Sequence, residues 1–138
     1  MRQLTLAMTV ILTLSAAALS ATDRRDEVYG TFQKMRSEFL VQGSVTKKDF
    51  PSRFKTLDTE LNSKYKEFKT LEKQDLTSKG NQMAYDLEMM EPLRNLAHSK
   101  LSKQDCSEAM HINDLNFNED DKFEIEKMDL ILKAVCQN

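Results

Sequence analysis

Apolar residues recur at intervals of four and three along one stretch of the chain, at Phe50, Phe54, Leu57, Leu61, Phe68 and Leu71. This spacing returns to the same side of a 3.6-residue helix. It predicts an amphipathic helix with one apolar seam over 50–71, the longest clean periodic signal in the sequence. Lys64 is the one break in the seam, and Tyr65 beside it is placed to cover the gap. Pro51 fits only near a helix start, where its missing N–H costs nothing, so the helix is expected to begin at Thr46 or Asp49.

The same spacing marks a preceding helix through Val28, Phe32, Met35 and Phe39, with Thr22 or Asp23 as its N-cap and Gly43 at the left-handed C-terminal position. The short link Ser44 to Lys48 implies a tight reversal, so the first two helices are expected to be antiparallel. After a polar break from Asp75 to Gly80, with Thr77 or Ser78 as cap, Met83, Leu87 and Met90 mark a third helix. Pro92 should kink or break it, with helix resuming through Leu93, Leu96, Ala97 and Leu101. Ser102 and Asp105 approximate a capping box for a short helix holding Cys106, Ala109, Met110 and Ile112. Asn113 to Asp121 reads as an Asn- and Asp-rich loop, with Asn118 capping a last helix whose first turn holds Glu119, Asp120 and Asp121. That helix carries Ile125, Met128, Leu132 and Val135 on its seam, widened by Phe123 and Ile131, and is expected to be the most buried. The fold class is therefore all-α, a four- to five-helix antiparallel bundle.

The chain opens with Met1-Arg2-Gln3, an apolar run from Leu4 to Leu14 and small residues from Ser15 to Ala21, the pattern of a cleaved signal peptide. Cleavage after Ser20 or Ala21 would leave 22–138 as one helical domain, secreted or periplasmic. The apolar run is short for a membrane span, which needs about 20 residues. Nothing later in the chain is apolar enough to span. The only two cysteines, Cys106 and Cys136, are expected to form one disulfide in an oxidising compartment.

Charge divides the chain. Residues 47–73 hold eight basic and five acidic side chains, net +3, whereas 104–138 hold three basic and nine acidic, net −6. At 100° per residue, Lys48, Lys55, Lys66, Lys69 and Lys73 gather opposite the second helix's seam. This lysine face suits either internal pairing with the acidic C-terminal segment or binding of an acidic protein or polyanionic envelope component. Nucleic acid is not expected: arginine richness and interleaved exposed aromatics are missing, and the chain is acidic overall at net −2.

Candidate chemistry is sparse. There is no Gly-x-Ser-x-Gly, phosphate-binding Gly loop or His-Glu-x-x-His, and Gly30, Gly43 and Gly80 are scattered. Asp114, Asn116 and Asn118 begin like a calcium loop, but Glu119 stands where Gly is needed and Ile125 where a bidentate Glu is needed. His98 and His111 lack helical metal-pair spacing, and neither lies cleanly on a seam, which argues against zinc and haem. Met83, Met89, Met90, Met110 and His111 offer soft donors for Cu(I), but methionines at helical spacing read first as core filler. Neither a cofactor nor a metal is expected. No family resemblance holds: Leu76-Thr77 is followed by Ser78-Lys79-Gly80, so the Leu-Thr-x-x-Gln repeat of small exported helical chaperones is missing. The several-disulfide framework of insect-type odorant carriers is missing as well. The expected function is an exported, non-enzymatic binding protein acting on another protein, of the inhibitor, immunity or envelope-chaperone kind. A carrier of a small apolar ligand or cofactor within the bundle is the second reading, and a small secreted enzyme using carboxylates the third.

Overall fold

The computed structural model describes residues 24–42, 45–71 and 78–137. The expected signal peptide, the Thr22, Asp23, Gly43 and Thr77 caps, and Lys73 lie outside the described residues. Every regular element among the described residues is a helix: α1 (24–42), α2 (Phe50–Leu71), α3 (Ser78–Met89), α4 (Glu91–Ala97), α5 (Lys103–Leu115) and α6 (Lys122–Cys136). None is long and apolar enough to cross a membrane.

Helix directions follow from paired contacts. The start of α1 meets the end of α2 through Arg24 and Glu67, and the end of α1 meets the start of α2 through the Phe39 and Phe54 rings, 5.8 Å apart. These two helices are therefore antiparallel, as the short link between them predicts. Lys79 pairs with Asp26 at 2.6 Å and Gln33 donates to Asp86 at 2.7 Å, so α3 runs parallel to α1. Cys106 with Cys136, and Asn113 with Ile125, make α5 and α6 antiparallel. The seam residues Phe50, Phe54, Leu57, Leu61 and Phe68 of α2 are all buried. They join Phe32, Met83, Leu93, Leu96, Met128, Ile131 and Leu132 in one core cluster. Each fully buried side chain of this size contributes about 1.5–3 kcal/mol of transfer free energy. Tyr65 packs against the cluster beside Lys64, which turns aside to Glu67 at 3.5 Å.

Six helices rather than four to five arise because the third one breaks. Pro92 has no N–H for the preceding turn, and the chain breaks two residues earlier, at Met90, whose N–H reaches only Leu87 O at 3.3 Å. Pro92 then lies in the first turn of α4. This short helix packs on α2 and α5, and four of its seven residues are buried (Pro92, Leu93, Leu96 and Ala97) against five of fifteen in α6. The most buried helix for its length is thus α4, not α6. Leu101 does not continue it. Ser99 Oγ donates to Leu96 O and accepts from Leu101 N–H, a local alternative to helix, and Leu101 turns the chain at φ 57°.

Three further expectations are corrected. Ser78 to Gly80 belong to α3 rather than to the polar break, and Gly80 is buried within it. Asn113 lies in the last turns of α5, fully buried, not in a loop. Asn118 does not cap α6: its Oδ1 accepts from Asp121 N–H at 2.9 Å, which closes a turn holding Glu119 to Asp121, and the helix starts at Lys122. Phe123 lies nearly opposite the α6 seam and faces solvent at 63% exposure under Lys127 instead of widening the buried face, whereas Ile131 is buried as expected.

Candidate functional site

The structure separates the four predicted lysines that lie among the described residues, Lys48, Lys55, Lys66 and Lys69. α2 begins at Phe50 because Thr46 organises a turn ahead of it, its Oγ1 and carbonyl oxygen accepting from Asp49 N–H at 3.2 Å and its carbonyl also from Phe50 N–H at 2.9 Å. Lys48 therefore stands in that turn and not on the helix. Lys55 and Lys66 are exposed on α2 and Lys69 is half-buried. Lys55 and Lys66 are eleven residues apart, about 16 Å along the axis. Between them, Asp58 turns to α4 and holds Arg94 through two hydrogen bonds, 3.0 Å to Nε and 2.8 Å to Nη2. The outer side of α2 is a spaced row of cations, interrupted by an ion pair that fastens α4.

The disulfide forms as predicted. Cys106 on α5 and Cys136 at the end of α6 have Cα atoms 5.8 Å apart and close a 30-residue separation. α5 is started by Ser102, whose side chain accepts from Asp105 N–H at 3.1 Å while Asp105 accepts from Ser102 N–H at 3.0 Å. Those bonds, the backbone one first, hold the Asp105 carboxyl below its ordinary value. The disulfide and this cap fix one end of the α5–α6 pair.

At the other end of the pair lies a cleft of about 400 Å³ that the sequence reading did not anticipate. Asn113, Asp114 and Phe117 line one side and Ile125, Glu126, Asp129 and Leu130 the other. Phe117 is 47% exposed and Leu130 57% exposed, while Ile125 is buried. Its charged lining groups are all carboxylates. Asn113, at 0% exposure, donates from Nδ2 to Ile125 O at 3.2 Å, which leaves its Oδ1 buried with no partner. The pointers were present in the sequence as the −6 balance of 104–138 and as Phe117 and Leu130 lying off every seam.

A second unpredicted feature is internal. Arg36 of α1 is buried between two carboxylates, bonded twice to Glu124 of α6 and lying 3.9 Å from Asp86 of α3. Burial works against the guanidinium charge, but Glu124 and Asp86 more than offset it, and its pKa is raised. Burial pushes the Asp86 carboxyl above its ordinary value, and Arg36 with the Gln33 and Gln82 amides offsets only part of that. The sequence signal was Arg36 itself, four residues after Phe32 and three before Phe39, on a seam.

Both histidines are exposed, His98 at the end of α4 and His111 on α5. Met83, Met89 and Met90 are buried in the core and Met110 packs against it. Among the described residues no group of three or more His, Cys, Asp or Glu side chains is arranged to hold a metal ion. Comparison with protein-family models, with curated proteins and with solved structures gave no match.

Proposed function

We propose that the chain is an exported, non-enzymatic binding protein that acts on another protein through the surface of its helices. One observation carries the reading: the apolar side chains Phe117 and Leu130 stay exposed and face one cleft, while the seams of α2 and α6 are buried. Exposed apolar surface rimmed by polar groups is characteristic of interaction sites. Export is supported by the residue pattern of 1–21 and by the Cys106–Cys136 disulfide.

The test is photo-crosslinking in the native envelope or culture medium, with the crosslinker placed in turn at Leu130 in the cleft and at Lys66 on α2. A defined protein captured at one of these positions, and lost when the surrounding surface is altered by Phe117→Ser or by Lys55→Gln, supports the reading. No protein captured at either position would sink it, and a lipid or chromophore extractable from the purified chain would then favour a carrier.

A further inference from the structure

We infer that the cleft between α5 and α6 receives a cationic amphipathic segment of the partner protein. This rests on the protein-binding reading and goes beyond it by naming the site and the chemistry of the occupant. Asp114, Glu126 and Asp129 contribute three negative charges to a lining that holds no cation. Lys133 pairs with Asp129 at 2.7 Å and also feels the Asp114 charge, but among the described residues neither Asp114 nor Glu126 has a cation in direct contact. Two carboxylates thus stay open to a ligand's lysine or arginine side chains.

The geometry asks for both charge and apolar surface. Asp114 on α5 and Glu126 on α6 stand on the two helices that border the cleft, so cations on two sides of a bound segment would meet them. Phe117 and Leu130 are exposed apolar side chains of the lining, and buried Ile125 lines it with them. The floor adds a polar cue. Asn113 Oδ1 is a buried acceptor without a partner, and such an atom is destabilising until a donor reaches it. The charged groups that line the cleft are all carboxylates, which selects for a positively charged ligand. The lysine face of α2 would attract the opposite charge, so the two surfaces are distinguishable by partner.

The test uses the oxidised chain and three synthetic helical peptides, one of leucine and lysine, one of leucine and glutamate, and one of serine and lysine. Binding is read by calorimetry and by backbone amide shifts. The leucine–lysine peptide is expected to bind with shifts gathered over 113–130. Affinity should fall about tenfold or more, at least about 1.4 kcal/mol, in D114N/E126Q and separately in F117S/L130S. The other two peptides should bind at least that much more weakly. These four side chains are exposed, and unchanged helicity and melting confirm that the variants fold. Wild-type affinity in D114N/E126Q, equal binding of the serine–lysine peptide, or shifts gathered elsewhere would overturn the inference. So would self-association removed by Lys55→Gln and Lys66→Gln, which would make a second copy the occupant. If the peptide fails while crosslinking at Lys66 captures a protein, the cleft assignment falls and the binding reading stands; if neither position captures one, the reading itself falls.

Discussion

Arg36 and Glu124, 88 residues apart in sequence, meet through two parallel hydrogen bonds of 2.8 and 2.6 Å that tie α1 to α6. The guanidinium is 1% exposed, and on its other side Asp86 of α3 lies 3.9 Å away. One cation between two carboxylates thus joins three helices at a position where the apolar seams would otherwise meet. Such a cluster adds little net stability over a well-packed apolar one, but removing one member is costly because a buried charge loses its partner.

Arg36→Met should therefore destabilise the protein by about 3–5 kcal/mol, since Asp86 is left buried and uncompensated. Adding Asp86→Leu to that variant should recover most of the loss, because Glu124, one-third exposed, can turn to solvent. Urea unfolding of both variants measures this. A single-variant loss below about 1 kcal/mol would place the cluster with ordinary surface pairs.

Two carboxylates should tilt the pH dependence of stability in opposite directions. Burial raises Asp86 above its ordinary 3.8, so the folded state binds that proton more tightly than the unfolded chain. Its contribution is fully present below 3.8 and is lost as pH rises through the raised value. Asp105 is held below 3.8 by Ser102, so its contribution is present above that value and lost as pH falls through the lowered one. Stability measured against pH should lose its decline above 3.8 in Asp86→Asn and should lose part of its acid-side decline in Asp105→Asn. An unchanged decline above 3.8 in Asp86→Asn would contradict the burial argument.

Removal of the disulfide by Cys106→Ser with Cys136→Ser should cost about 3–4 kcal/mol, the closure entropy of a 30-residue loop. The loss should appear as a lower unfolding midpoint in denaturant. Thiol titration of the unreduced, unfolded wild-type chain should find no reactive thiol.

Gly30 stands in the middle of α1 on its exposed side, and a Cβ added there would meet nothing within 4 Å. Gly30→Ala should stabilise the protein by about 0.5–1 kcal/mol by lowering the backbone entropy lost on folding. A rise in melting temperature checks it; a fall would mean that the backbone at Gly30 is not free helix.

How much was legible depended on whether a property is local. The α2 seam, from Phe50 to Phe68, was read correctly residue by residue, because helical periodicity is written in neighbouring residues. The Ser102–Asp105 cap is equally local and forms as expected, despite Asp standing where Glu or Gln is usual. Phe123 is exposed because at 100° per residue it falls nearly opposite the Ile125 to Val135 seam, and Asn118 spends its capping oxygen on a turn. Lys48 was assigned to a helix face by extending periodicity past the true start of α2. Asn113 was read as loop because Asn is usually found there, whereas Ile125 O gives its amide a buried partner from another helix.

The sequence by itself determined the helical class, the seams and the cysteine pair, since each follows from spacing, composition or a count of two. Only the tertiary structure decided that Arg36, Asp86 and Glu124 share one buried cluster, and that Phe117 and Leu130 line one acidic cleft. Those groups lie on different elements, and their meeting depends on rotation and register between them. Periodicity gives each helix an inside, but not which residue of one inside touches which residue of another.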